Sequence, residues 1–196
     1  MHNFIKKIYK PSTCFFLCFI IVFVLIGCSG SQAGEDSSEK KSGKRSSALH
    51  QEMASGSEAP DFSAKLNNGD TFTLSDTSGQ VVLLNFWATW CTNCIKETPA
   101  IEKLYEEYGD QVIIIGVNVG EDEDTVDTFV EAKNYSFPIA YDTESNISNL
   151  YPSAGIPYTV IIGKDGLVTE TFRGAKDADS QYTKLRRALQ KAYEAN

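Results

Sequence analysis

Histidine is nearly missing from this 196-residue chain: there are two, His2 and His50, and none follows residue 50. A Cys–His or Ser–His–Asp nucleophile is therefore closed to everything downstream. Cysteine is scarce as well, with five residues at positions 14, 18, 28, 91 and 94. Only two of these fall beyond residue 57, whereas a structural zinc site takes about four Cys or His ligands, so no metal is expected. Basic charge is short where a nucleic-acid binder needs it. Residues 58–196 hold 11 Lys+Arg against 22 Asp+Glu, a net −11. That balance excludes a phosphate-binding footprint and argues against adhesion to anionic lipid. No apolar run reaches the ~20 residues of a spanning helix; residues 14–26 are 13 long. With 42% hydrophobic and 11% aromatic residues, the chain still has the material for a packed core.

The amino terminus reads as an address. Lys6, Lys7 and Lys10 precede the apolar run, and Gly27-Cys28 follows it, the order of a secretory signal. Leu25-Ile26-Gly27-Cys28 resembles the bacterial lipobox, which implies cleavage before Cys28 and diacylglycerol on its sulfur. An uncleaved signal anchor with Cys28 as a plain thiol is the alternative. Residues 29–57 are rich in Ser, Gly, Glu and Lys, too polar to offset their own chain entropy by burial. The expected organisation is a signal peptide over 1–27, a flexible tether over 28–57 with a reach of roughly 30 Å, and a folded domain over 58–196. His50 and Met53 fall in the tether and read as spacer. The expected location is outside the cytoplasm, lipid-anchored to the bacterial cell membrane.

The folded part reads as α/β. Residues 81–86 and 112–117 are near-continuous apolar runs, as in strands buried on both faces of a parallel sheet. Between them Ile101, Leu104, Tyr105 and Tyr108 recur at helical spacing, giving a βαβ unit. Val126, Phe129 and Val130 mark a second helix, and the acids at 121–124 suit the positive end of its dipole. Residues 158–162 and 167–172 flank Gly163-Lys164-Asp165-Gly166, a hairpin signal. Residues 62–66 and 71–74 form a smaller hairpin upstream. Tyr182, Leu185, Leu189 and Tyr193 set the apolar face of a last helix. The expected architecture is a central mixed β-sheet with helices on both faces and an extra N-terminal β-hairpin.

The chemistry concentrates in Trp90-Cys91-Thr92-Asn93-Cys94. A Cys-x-x-Cys directly after a strand and opening a helix is a redox signature. Unpaired N–H groups and the helix dipole favour a thiolate on the first cysteine. Cys91 is thus the expected attacking thiol and Cys94 the resolving one. A structural disulfide is disfavoured, because so short a loop gains little from closure. Half a zinc site lacks its other ligands.

The segment Phe86-Trp87-Ala88-Thr89-Trp90-Cys91-Thr92-Asn93-Cys94 resembles the active-site segment of the thioredoxin superfamily. The chain is most similar there to TlpA/ResA-like membrane-anchored thiol-disulfide oxidoreductases, and the resemblance runs from Ala59-Pro60-Asp61-Phe62 to the last helix. It implies a thioredoxin-like fold and a cis proline at Pro157, within Gly155-Ile156-Pro157-Tyr158-Thr159. Ile156 and Pro157 would offer backbone to an extended client segment. It also implies that Glu97 lies near the dithiol and influences its titration, where a carboxylate can take the proton of the resolving thiol. Asn85 departs from cytoplasmic thioredoxins, which have a buried Asp at that place. Thr92-Asn93 departs from their Gly-Pro.

The leading expectation is a reductant of disulfides in client proteins, recharged by a membrane electron donor and needing no cofactor. The family's clients include apocytochrome c, and related proteins support methionine sulfoxide reductases. A disulfide-forming oxidase is the main alternative. A thiol peroxidase wants Pro-x-x-x-Thr-x-x-Cys, and Leu84 and Ala88 occupy those places. A non-catalytic binding lipoprotein would have no use for an intact dithiol.

Overall fold

The computed structural model describes residues 51–195. The expected signal peptide, Cys28, His50 and most of the expected tether lie outside the described residues. Strands β1 (Ser63–Lys65) and β2 (Thr71–Thr73) pair antiparallel as the expected N-terminal hairpin. Next come β3 (Val81–Trp87), α1 (Thr92–Tyr108), β4 (Val112–Val119), α2 (Glu123–Lys133), β5 (Ile139–Asp142) and α3 (Asn146–Leu150). The chain ends with β6 (Tyr158–Ile162), β7 (Val168–Arg173) and α4 (Ala178–Glu194). The five-stranded sheet has the order β5-β4-β3-β6-β7. Strands β3, β4 and β5 run parallel, whereas β6 pairs antiparallel with both β3 and β7, so the sheet is mixed.

Every residue of β3 is buried, as the unalternating apolar run requires. Its side chains alternate between two cores. Val81, Leu83 and Trp87 face α1, α2 and α4, whereas Val82, Leu84 and Phe86 face the hairpin, α3 and Tyr151. Helices therefore flank both faces, three on one side and the five-residue α3 on the other. Gly116 of β4 is a packing glycine: a Cβ there would stand 2.7 Å from the Phe137 ring and 2.8 Å from Ile139.

Two elements have no periodic signal in the sequence, β5 and α3. The four-residue β5 occupies the edge of the five-stranded sheet beside β4, and its outer side is bridged at Ala140 by Leu66 of the hairpin. The Ile139 N–H is bound by Asn67 Oδ1 at 2.9 Å, from the hairpin turn. Buried Asp142 closes β5 and accepts the N–H groups of Ile147 and Ser148, each at 2.8 Å. That carboxylate satisfies the free donors of α3 in place of a side-chain cap.

The domain boundary expected at residue 58 is corrected to an earlier point. The Gly56 N–H donates to Val168 O at 2.7 Å, and the Val168 N–H donates to Ser57 O at 2.8 Å. The Met53 N–H donates to the Tyr158 hydroxyl at 3.1 Å, and Glu52 pairs with Arg173 at 2.6 Å. Met53 also packs on the second core, so it is not spacer. A composition argument counts apolar burial. Residues 52–57 are held largely by their main-chain bonds to Val168 of β7 and Tyr158 of β6, which composition does not register.

Candidate active site

Strand β3 delivers the dithiol. After Trp87 the chain makes a turn closed by a 3.1 Å bond from the Cys91 N–H to Ala88 O, and α1 begins. Cys91 is the N-cap of α1, and its sulfur accepts the Cys94 N–H at 3.2 Å. The sulfur thus stands where the helix presents free N–H groups. Cys91 and Cys94 form a disulfide, with Cα atoms 5.2 Å apart. Cys91 is 6% exposed and Cys94 2%, so the first cysteine is the less buried of the pair. Trp90 projects from the same turn, 70% exposed, and Thr92 and Asn93 are exposed between the cysteines.

Antiparallel β6 brings the proline loop to the same end of the sheet. Phe86 lies opposite Tyr158 in the β3–β6 register, so Pro157, one residue before β6, stands beside the end of β3. The Ile156–Pro157 peptide is cis. Ile156 packs against the core cluster that contains both cysteines.

Glu97 is buried, 1% exposed, one turn beyond Cys94 on the same face of α1. Its Oε2 accepts from Asn85 Nδ2 at 3.2 Å, and its Oε1 accepts from Gln181 Nε2 at 2.5 Å. Burial pushes the carboxyl pKa up from 4.5 to about 7, while the two amide donors pull against that rise. Asn85 is itself buried, and Nδ2 also donates to Thr159 Oγ1 at 3.0 Å. This accounts for the amide at position 85. An aspartate there would set two carboxylates in one dry pocket, where they cannot both ionise without strong repulsion.

Sequence reasoning missed three residues. Gln181 in the first turn of α4 and Thr159 in β6 both contribute to the Glu97 pocket. Of the expected apolar face of α4, Leu185 and Leu189 are buried and Tyr182 packs half-buried on the core, whereas Tyr193 is 42% exposed; Gln181, Ala188 and Ala192 complete the buried face. The third is Glu121. The acids at 122–124 do serve the N-terminus of α2, where Asp122 caps Thr125 N at 2.9 Å. Glu121 instead turns to the redox loop and accepts the Thr89 N–H at 2.7 Å.

Such a dithiol on a thioredoxin-like scaffold defines a thiol-disulfide oxidoreductase. Residues 55–171 match the model of the AhpC/TSA family. The thiol-disulfide oxidoreductase ResA of Bacillus subtilis is 36% identical over 63% of this chain and 70% of its own length. Among solved structures, a putative protein disulfide isomerase from Bacteroides thetaiotaomicron superposes with a TM-score of 0.69 at 29% identity, covering 75% of this chain and 94% of that one. The pneumococcal exposed lipoprotein thioredoxin Etrx1 of Streptococcus pneumoniae superposes with a TM-score of 0.58 at 25% identity, covering 65% of this chain and 99% of that one. The chain belongs to the AhpC/TSA family and, within it, to the ResA-like thiol-disulfide oxidoreductases.

Proposed function

We propose that the protein is a lipid-anchored reductant of disulfides in client proteins outside the cytoplasm. The observation that carries this reading is the Cys91–Cys94 pair at the start of α1, with a buried carboxyl poised near neutrality one turn further on. In the reduced protein the Cys91 thiolate attacks one sulfur of the client disulfide. A Cys91–client mixed disulfide forms, and the other client sulfur leaves as a thiolate. Cys94 passes its proton to Glu97 and attacks the Cys91 sulfur, and the second client sulfur departs. Two electrons have then moved from the dithiol to the client, and Cys91 and Cys94 are left as the disulfide. Glu97 suits the proton transfer because its pKa lies near the operating pH. Main-chain groups of Ile156 beside the cis Pro157 pair with an extended client segment, and exposed Trp90 offers it apolar surface.

The anchor is a diacylglycerol on Cys28 after removal of residues 1–27, supported by the lipobox and by the likeness to a lipoprotein thioredoxin. Among the described residues no helix is long and apolar enough to cross a membrane. A membrane electron donor returns two electrons to the Cys91–Cys94 disulfide after each turnover. The test is trapping: Cys94→Ser stops the second attack and accumulates client proteins disulfide-linked to Cys91. If no adduct forms on Cys91, or if Cys94 in the wild type alkylates first, the assignment of roles is overturned.

A further inference from the structure

Glu121 lies in the loop after β4, outside the dithiol and outside the Glu97 pocket, and the mechanism above makes no use of it. Its carboxylate receives three donors. Oε2 accepts the Thr89 N–H at 2.7 Å and Asn118 Nδ2 at 2.8 Å, and Oε1 accepts the Thr89 hydroxyl at 2.5 Å. Asn118 is fully buried in β4, directly across from Trp87 in register, so the donor that orients Glu121 is fixed by the sheet. Thr89 is a central residue of the turn closed between Ala88 and Cys91. Its N–H takes no part in the bond that closes the turn and goes to Glu121 instead.

We infer that Glu121 is a positioning residue of the redox loop. It acts through Thr89 to hold Cys91 at the N-cap of α1 and Trp90 in its exposed pose. The sheet supplies the rigid side of this link through Asn118, and the loop that carries the nucleophile is the side it restrains. The role is one of position and not of charge. A glutamine keeps all three contacts: its amide oxygen accepts from Thr89 N–H and Asn118, and its NH₂ donates to Thr89 Oγ1, whose hydroxyl turns round. The inference rests on Cys91 being the attacking thiol.

The experiment measures Cys91 alkylation by iodoacetamide at pH 7 in the reduced full-length protein, with insulin reduction in parallel. Glu121→Ala slows both by about tenfold or more, the scale on which small misplacements of a reacting group act. Glu121→Gln restores them to within about threefold of wild type, since the three hydrogen bonds are kept. If Glu121→Ala does not fold, Thr89→Val against Thr89→Ser decides, because only the serine keeps the hydroxyl contact. The inference predicts slower Cys91 alkylation in the valine variant and recovery in the serine variant. Wild-type rates in Glu121→Ala or in Thr89→Val overturn it. So does a Glu121→Gln protein as slow as the alanine variant, since that makes charge the active property. Failure of wild-type insulin reduction counts against the proposed function alone, because the alkylation comparison still reports on Glu121.

Discussion

Gln181, 84 residues away along the chain, donates its side-chain N–H to Glu97 Oε1 at 2.5 Å, inside a pocket where both side chains are about 1% exposed. The bond ties the first turn of α4 to the helix that carries the dithiol. Asn85 grips the other carboxylate oxygen from β3. Both partners offer N–H groups to an acceptor-only carboxylate and so partly offset the burial, which remains the larger effect and raises the pKa.

Glu97→Gln removes a titration centred on about pH 7. The alkylation rate of the thiols, followed from pH 5 to 10, loses an inflection near neutrality in this variant. Stability carries the same signature. The folded carboxyl binds its proton more tightly than the unfolded one, so the wild type loses stability as pH rises from about 4.5 to about 7. The loss is on the order of 3 kcal/mol, read by urea denaturation of the oxidised protein across that window. The glutamine variant shows no such slope.

Gln181→Leu deprives the ionised carboxylate of one donor and moves the Glu97 midpoint higher still. A ¹³C-carboxylate NMR titration of the oxidised protein measures it directly. An unchanged midpoint would mean that the bond from α4 has no part in tuning Glu97. Above that midpoint the variant is less stable by roughly 1.5–3 kcal/mol, the range for a hydrogen bond to a charged group.

Asn85→Asp places a second carboxyl against Glu97. The pair then titrates in two coupled steps, with one proton retained well above neutral pH. Folding stability falls more steeply with rising pH than in the wild type. A pH–stability curve parallel to that of the wild type would show that the two groups do not share a pocket.

Cys28→Ala abolishes lipidation and releases the protein from the membrane fraction once the signal is cut. A soluble form beginning near residue 50 keeps its redox activity, because the main-chain bonds that start the fold begin at Met53. Membrane retention of the cleaved Cys28→Ala protein contradicts the anchor.

Much of this molecule is legible in the sequence where the signal is local. The runs at 81–86 and 112–117 became β3 and β4, and Cys-x-x-Cys after a strand became an N-cap sulfur. Even the burial of Glu97 has a local sign, since positions 97, 101 and 104 lie on one helical stripe with Ile101 and Leu104. The same stripe in α4 runs back from Ala192, Leu189, Ala188 and Leu185 to Gln181. A polar residue on an apolar stripe was the available clue to it. What no local pattern carries is pairing at a distance: Gln181 with Glu97, Glu121 with Thr89, and residues 53–57 with β6 and the start of β7. Short β5 and α3 fall in the same class, because Asn67 and Asp142 hold them by contacts made only in the folded chain.

The direction of electron flow is the central claim. No basic residue lies between the cysteines to stabilise a thiolate beyond the helix terminus. Strong oxidants of this class owe their potential to such stabilisation. Equilibration of the Cys91–Cys94 couple with glutathione tests the claim most directly. The predicted potential lies toward the negative end of the span from ~−120 to ~−270 mV. A value above about −150 mV, near the oxidase end, would reverse the assigned direction and make the protein a donor of disulfides.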